Sequence, residues 1–365
     1  MDRQILGIGN ALTDMLCVLD SDALIEKFGL PKGSMQVVDK ELQNELLSEL
    51  SRYEVKKVRG GSVPNTLVGI EHLGMQVGFI GKLGCDEVAR FFTSDLQRRN
   101  VTIHAIYSQT LPSGTCVSLI SPDGERTLVT CLGAASQLQA PELIPGMFAG
   151  YALCHIDGYL LQNHELIERA MVMAKQAGAY VSLDMGSYNV VEQNLEFLKR
   201  IVPQYVDVVF ANEMEAKTYT GNSDPEVSLD ILSREAAFAV VKVGGKGSYV
   251  KHKNEKSFVP PLSGAKCVDT TGAGDLYASG FLYGLAMGCD ITGSGRIGAL
   301  VSGNVVEVVG THMDESKWQQ IRSECQQIIS TSKKGLYGVG CSLGASSRKI
   351  EGANQTTHEA PSEHP

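Results

Sequence analysis

Val268-Asp269-Thr270-Thr271-Gly272-Ala273-Gly274-Asp275 sets two aspartates around a glycine turn, and Leu276 to Met287 continues with a helical pattern. Gly272 and Gly274 let backbone amides converge on one point with no side chain in the way. The helix start adds unpaired N–H groups and the positive end of the helix dipole, so an anion is favoured there. Asp275 puts a carboxylate beside that hole. The combination suits phosphoryl transfer. The amides of Gly272, Ala273 and Gly274 hold charge on the migrating group, and Asp275 takes the proton of an attacking hydroxyl. The last four residues alone also fit an ordinary helix start with a first-turn carboxylate.

Outward from this run, strand and helix patterns alternate. Ile5 to Ile8, Gln76 to Ile80, Ala152 to Ile156, Tyr180 to Asp184, Val206 to Ala211, Ala239 to Val243 and Gly247 to Lys251 read as strands. Glu41 to Leu50, Asn65 to Leu73, Asp86 to Asn100, His164 to Ala177, Glu213 to Tyr219, Gly274 to Met287 and Gly293 to Val309 read as helices. This predicts an α/β fold with a mostly parallel central sheet and helices on both faces. Two stretches, about 15–40 and 103–131, carry strand-like runs without clear helices between them. Pro122-Asp123-Gly124-Glu125 reads as a hairpin turn in the second. They predict a small antiparallel β lid inserted in two pieces into one large α/β domain, 1–330. From about residue 331 the pattern dissolves into a Ser-, Gly-, Glu- and His-rich stretch, read as a flexible tail.

The chain of 365 residues has 43% hydrophobic and 20% charged residues, ordinary for a globular protein. Its formal net charge of -9 opposes nucleic acid and anionic membrane partners. The 9 cysteines are scattered without a C-x-x-C pair, and the 8 histidines lack metal-ligand spacing. Reduced, largely buried thiols are expected, and with them a cytoplasmic setting. No signal peptide is read at the N-terminus, and no apolar run approaches the ~20 residues of a membrane span.

Several further polar groups are candidates. Gly7-Ile8-Gly9-Asn10-Ala11-Leu12 mimics half of a dinucleotide fingerprint, but Leu12 replaces the third glycine and no helix follows. Asn10 and Asp14 read better as polar groups at the carboxyl end of a strand, where ligands sit in α/β sheets. Asp14 suits a bidentate grip on vicinal sugar hydroxyls; a turn or cap is the alternative. Gly60, Gly61 and Asn65 form either a ligand-approaching loop or an ordinary helix start. Asn212 is a good N-cap. Lys242 either meets a phosphate or snorkels at a strand end. Arg126 reads as an exposed hairpin arginine, Tyr159 as a core aromatic or a base-stacking one, and Asn304 as solvent-facing. No Walker A pattern is present.

The eight-residue run resembles the signature of the ribokinase-like (PfkB) family of carbohydrate and nucleoside kinases. The resemblance extends over roughly residues 3 to 330 and includes four motifs in family order. It implies a ribokinase-like fold with ATP and Mg²⁺ as cofactors. Gly60, Gly61 and Asn65 would then bind the acceptor sugar with Asn10 and Asp14, and Tyr159 would stack on a base. Asn212 and Glu215 match the family's Asn-x-x-Glu element, whose glutamate orients Mg²⁺-bound waters. Lys242, Gly244, Gly247, Thr271 and Asn304 would line the nucleotide. Arg126 would be a lid arginine on the transferring phosphate, and Asp269 part of a K⁺ site. Pro64 and Lys242 are departures from the family pattern. Gly9-Asn10-Ala11-Leu12-Thr13-Asp14, Gly114-Thr115-Cys116 and Leu132-Gly133-Ala134-Ala135 look closest to adenosine-kinase-like members. The activity implied is phosphorylation of adenosine in purine salvage, by a monomer or a homodimer through the lid. The alternatives are a sugar kinase acting on ribose, fructose or a keto-sugar acid, and a non-catalytic binding regulator, against which the intact Asp275 argues.

Overall fold

The computed structural model describes residues 4–333. The stretch read as a tail lies outside the described residues from 334 onward. A nine-stranded sheet forms the centre, in the order Glu255–Val259, Ser248–His252, Phe238–Lys242, Val208–Asn212, Tyr180–Asp184, Tyr151–Asp157, Gln4–Ile8, Val77–Leu83, Thr102–Tyr107. All neighbours are parallel except the two pairs made by Ser248–His252. The central strands read as apolar runs because both sheet faces are covered, which is the rule for parallel sheets.

Each face has its own core. On one, the helices Ser62–His72, Glu87–Arg98, Ala273–Met287, Ile291–Val305 and Glu315–Thr331 bury residues such as Phe79, Phe281 and Trp318. On the other, His164–Gln176, Leu195–Tyr205, Glu213–Thr220 and Pro225–Glu235 close over Leu6, Ile156 and Val209. The helix Ala273–Met287 lies unusually close to Ile291–Val305: a Cβ on Gly280 would meet the Ile297 carbonyl at 2.6 Å. Glycine there lets the helix that carries Asp275 sit deep against its neighbour.

The second sheet has five strands, in the order Met35–Val37, Arg126–Cys131, Gly114–Ile120, Leu12–Val18, Val55–Gly60. Its own core (Met15, Cys17, Val117, Leu119, Val129) packs on the helix Lys40–Glu49 through Leu46. The small sheet is thus as expected in kind, with three corrections. Thr102–Tyr107 belongs to the edge of the central sheet. Val55–Gly60 joins the small sheet, which the boundary at residue 40 left out. The sheet is also mixed, because Gly114–Ile120 runs parallel to Leu12–Val18 and Met35–Val37 parallel to Arg126–Cys131. The Gly124 turn (φ +84°) closes the antiparallel hairpin between Gly114–Ile120 and Arg126–Cys131 where expected.

Candidate active site

Asp275 lies in the first turn of Ala273–Met287, and the residue before that helix, Gly272, is left-handed at φ +72°. A Cβ at Gly272 would meet Thr311 Cγ2 at 2.2 Å, so both the turn and the packing require glycine. Of the three amides assigned to the anion hole, that of Ala273 turns inward onto the Thr270 carbonyl (3.1 Å). The Gly274 and Asp275 N–H groups belong to the first helical turn, which has no intrahelical acceptors. Of the three assigned amides, that of Ala273 is thus engaged within the turn.

A cation faces that turn. A Cβ on Gly274 would stand 3.2 Å from Lys242 Nζ. Lys242 ends the strand Phe238–Lys242 and donates to Asp184 Oδ2 at 3.0 Å. Burial works against its charge, but Asp184 and Glu215 outweigh it and hold the ammonium above its ordinary range. It is paired and mostly buried, not snorkelling. Glu215 closes a capping box with Asn212, accepting from Asn212 N (2.7 Å) and Asn212 Nδ2 (2.6 Å). Burial, then the charge of Asp184, push Glu215 up to about 7. Asp184 stays below the usual carboxylate range: burial opposes this, but Lys242 and the Gly186 amide (2.9 Å) prevail.

Both oxygens of Asp275 are engaged. Ser62 Oγ donates to Oδ1 at 2.7 Å and Asn65 Nδ2 to Oδ2 at 3.0 Å. Burial still raises its pKa to about 6 against those two bonds. Asp14 is likewise raised to about 6 by burial, with Arg59 opposing and Asp275 adding to it. Asp157, at the end of Tyr151–Asp157, is raised to about 7, chiefly by burial. These carboxylates share one field with the Tyr159 phenol, which burial and Asp157 push upward. Tyr159 follows Asp157 in the short helical turn Gly158–Gln162, and its backbone N–H donates to Asp157 Oδ1 at 3.0 Å.

Asp14 is not at the end of a central strand: it lies within Leu12–Val18 of the small sheet, against Gly60, where a Cβ would meet its Oδ1 at 2.0 Å. Asn10 does follow the central strand Gln4–Ile8, and a Cβ on Gly61 (φ +90°) would meet its carbonyl at 2.5 Å. Asn10, Asp14, Gly60, Gly61, Asn65 and Asp275 thus converge. Arg126 is no exposed hairpin residue. It starts Arg126–Cys131 and reaches Asp269 Oδ2 at 2.6 Å. Asp269 also accepts from Thr271 N (3.0 Å), Thr271 Oγ1 (2.8 Å) and Gly310 N (2.6 Å). Asn304 is buried, its Nδ2 donating to Leu300 O at 2.9 Å, which corrects the solvent-facing reading. Gly244 (φ +58°) and Gly247 (φ +122°) make the turn after Lys242, and Gly244 borders open space.

Four neighbours were not among the candidates: Ser62, Arg59, Asp157 and Asp184. Asp157 and Asp184 each end a parallel strand, so the carboxyl-end rule applied to every predicted strand reaches both. Ser62 directly follows Gly61, and only its hydrogen bond to Asp275 reveals it.

A family model described as pfkB family carbohydrate kinase matches residues 26–318. A nucleoside kinase of Methanocaldococcus jannaschii is 27% identical over 320 residues, covering 86% of this chain and 97% of that protein. The adenosine kinase structure from Sinorhizobium meliloti superposes with a TM-score of 0.79 at 29% identity, covering 89% of this chain and 100% of that one. The structure of a probable sugar kinase from Rhizobium etli gives 0.80 at 29% identity, covering 90% and 99%.

Proposed function

The chain belongs to the pfkB family of carbohydrate kinases, and from that premise we propose that it transfers the γ-phosphate of ATP to a ribosyl hydroxyl, with adenosine as acceptor and Asp275 as general base. That it is a phosphotransferase acting on a sugar or nucleoside hydroxyl follows from the family and its named kinase relatives. The regulator reading loses its ground with that. The observation that carries the base assignment is the half-buried Asp275 carboxylate, held by Ser62 and Asn65 beside an amide turn and a lysine, and the adenosine kinase relatives support adenosine as the acceptor.

In this proposal Asp14 and Asn10, with the Gly60-Gly61 backbone, grip the acceptor. Its hydroxyl oxygen bonds to the γ-phosphorus as the bond to the ADP oxygen breaks, and the hydroxyl proton passes to Asp275. Gly274 N–H and Lys242 hold the charge on the transferred group, and Arg126 turns from Asp269 onto it. Tyr159, Asn212, Gly244, Gly247, Thr271 and Asn304 are assigned to substrate and nucleotide contacts. Among the described residues no three metal-ligating side chains come together as a cage. Glu215, crowded by Asp184, fits a magnesium ion held at one remove through water, which would neutralise phosphate charge when bound. Asp269, with Thr271 beside it, would help hold a K⁺ ion, which would compete with the Arg126 ion pair for that carboxylate, and K⁺ stimulation of the rate is expected. Comparing rates in KCl and in a bulky organic chloride reads this, and equal rates remove K⁺ from the scheme.

Met35 and Val37 on the edge strand of the small sheet are 41% and 56% exposed. That supports a homodimer through this sheet, which light scattering measures. Among the described residues no helix is long and apolar enough to cross a membrane.

A base must be deprotonated to act. With Asp275 raised to about 6, kcat is expected to fall as pH drops through about 6 and to level off above 7. A pH–rate profile flat from pH 5 to 8 contradicts this. The acceptor is tested by ADP release with adenosine, guanosine, inosine, ribose, fructose and a keto-sugar acid. Adenosine should give the highest kcat/KM. A sugar exceeding every nucleoside would replace adenosine and leave the base assignment standing.

A further inference from the structure

The base is oriented from a distance. Asn65 has an amide whose oxygen and nitrogen ends are nearly equal in shape, so something must decide which end meets Asp275. Arg59 decides it. Its guanidinium can only donate, and its Nη1 lies 2.8 Å from Asn65 Oδ1, with Thr311 Oγ1 donating to the same oxygen at 3.3 Å. The nitrogen end is then left to donate to Asp275 Oδ2 at 3.0 Å. A turned amide would set donors against Arg59 and an oxygen against the carboxylate.

Arg59 is itself fixed. Its side chain is 7% exposed, and its Nε donates to Asp95 Oδ2 at 3.1 Å. Asp95, on Glu87–Arg98, also accepts from Arg99 Nε at 3.3 Å and from Arg98 Nη2 at 3.5 Å. Burial lowers the Arg59 guanidinium to about 10, with Asp95 opposing, so it stays charged at neutral pH. Arg59 is on the small-sheet strand Val55–Gly60, one residue from the Gly60 that packs on Asp14. Asp95, Asn65 and Asp275 belong to the helices of the central layer.

We propose that Asp95 and Arg59 are positioning residues: the chain Asp95–Arg59–Asn65–Asp275 orients the Asp275 carboxylate, and does so only while the small sheet is seated on the central layer. This rests on Asp275 being the base. Misplacement of a reacting group by about 1 Å costs up to roughly 10²-fold in rate. Arg59→Lys keeps the charge but loses the rigid fork that spans Asp95 and Asn65 at once. Its kcat is expected to fall about 10- to 10²-fold with the KM for ATP unchanged.

The test is a double-mutant cycle with Asn65→Ala, using adenosine or whichever acceptor the panel ranks first. Acting through Asn65, Arg59→Lys should change kcat less than about twofold in the Asn65→Ala background, well inside the coupling the cycle resolves. Wild-type kcat in Arg59→Lys, or the same fold-loss in both backgrounds, overturns the relay. Should Arg59→Lys fail to fold, as thermal melting would reveal, Asp95→Asn enters the same cycle with the same two outcomes. Asp275→Asn is run in parallel. Full activity in that variant sinks the base assignment and the relay with it, whereas a collapse there combined with an additive cycle sinks the relay alone.

Discussion

Asp275→Asn is expected to lower kcat by roughly 10²–10⁴, the range that general-base help supplies, while MgATP still binds. Asparagine keeps the shape and can still accept from Ser62 Oγ, which now donates to Asp275 Oδ1 at 2.7 Å. It cannot take a proton. Its NH₂ would also face the Asn65 NH₂, so part of the loss comes from a disturbed amide pair. Steady-state kinetics together with calorimetric ATP binding separate the two halves of the expectation. Loss of ATP affinity in step with kcat would mean that Asp275 serves the nucleotide and not the acceptor hydroxyl.

Lys242→Met should have the largest effect on stability. Lys242 and Asp184 are 16% and 12% exposed, so the change leaves a buried carboxylate without its cation. Removing one partner of such a pair costs about 3–5 kcal/mol. For a chain of this size that corresponds to a Tm lower by about 4–7 °C. Adding Asp184→Asn should recover most of the loss, because the amide oxygen can still accept from Gly186 N without a charge to bury. Activity should not return with stability, since the cation beside Gly274 stays absent. A double variant as unstable as Lys242→Met would show that the pair is not the origin of the loss.

The parallel layer was legible because its strands are short, mostly apolar runs spaced by helical patterns; Tyr180–Asp184 was read to the residue. Val55–Gly60 was not, since Lys56, Lys57 and Arg59 hide its alternation and its partner Leu12–Val18 is remote in sequence. The helix Leu195–Tyr205 was not read at all, and Pro203 inside it interrupts the helical signal. Within the site, the residues carried by glycine turns were visible: Gly60, Gly61, Gly272 and Asp275 all require local backbone chemistry that sequence displays. What stayed hidden were contacts between distant segments. Arg126, on the small sheet, pairs with Asp269 in the loop that leads into Ala273–Met287, and Asn304 is buried on Ile291–Val305. Neither partner can be chosen without the fold. The raised carboxylates, Asp14, Asp157 and Asp275, have the same origin: each looks like an ordinary aspartate until burial is known.

The most direct measurement follows a labelled γ-phosphate from ATP in the presence of adenosine, for the wild-type chain and for Asp275→Asn. The label should appear on the nucleoside as its monophosphate with the wild-type protein and be nearly absent with the variant. Label that stays in ATP or emerges only as inorganic phosphate, with adenosine and with every other hydroxyl acceptor in the panel, would contradict the account.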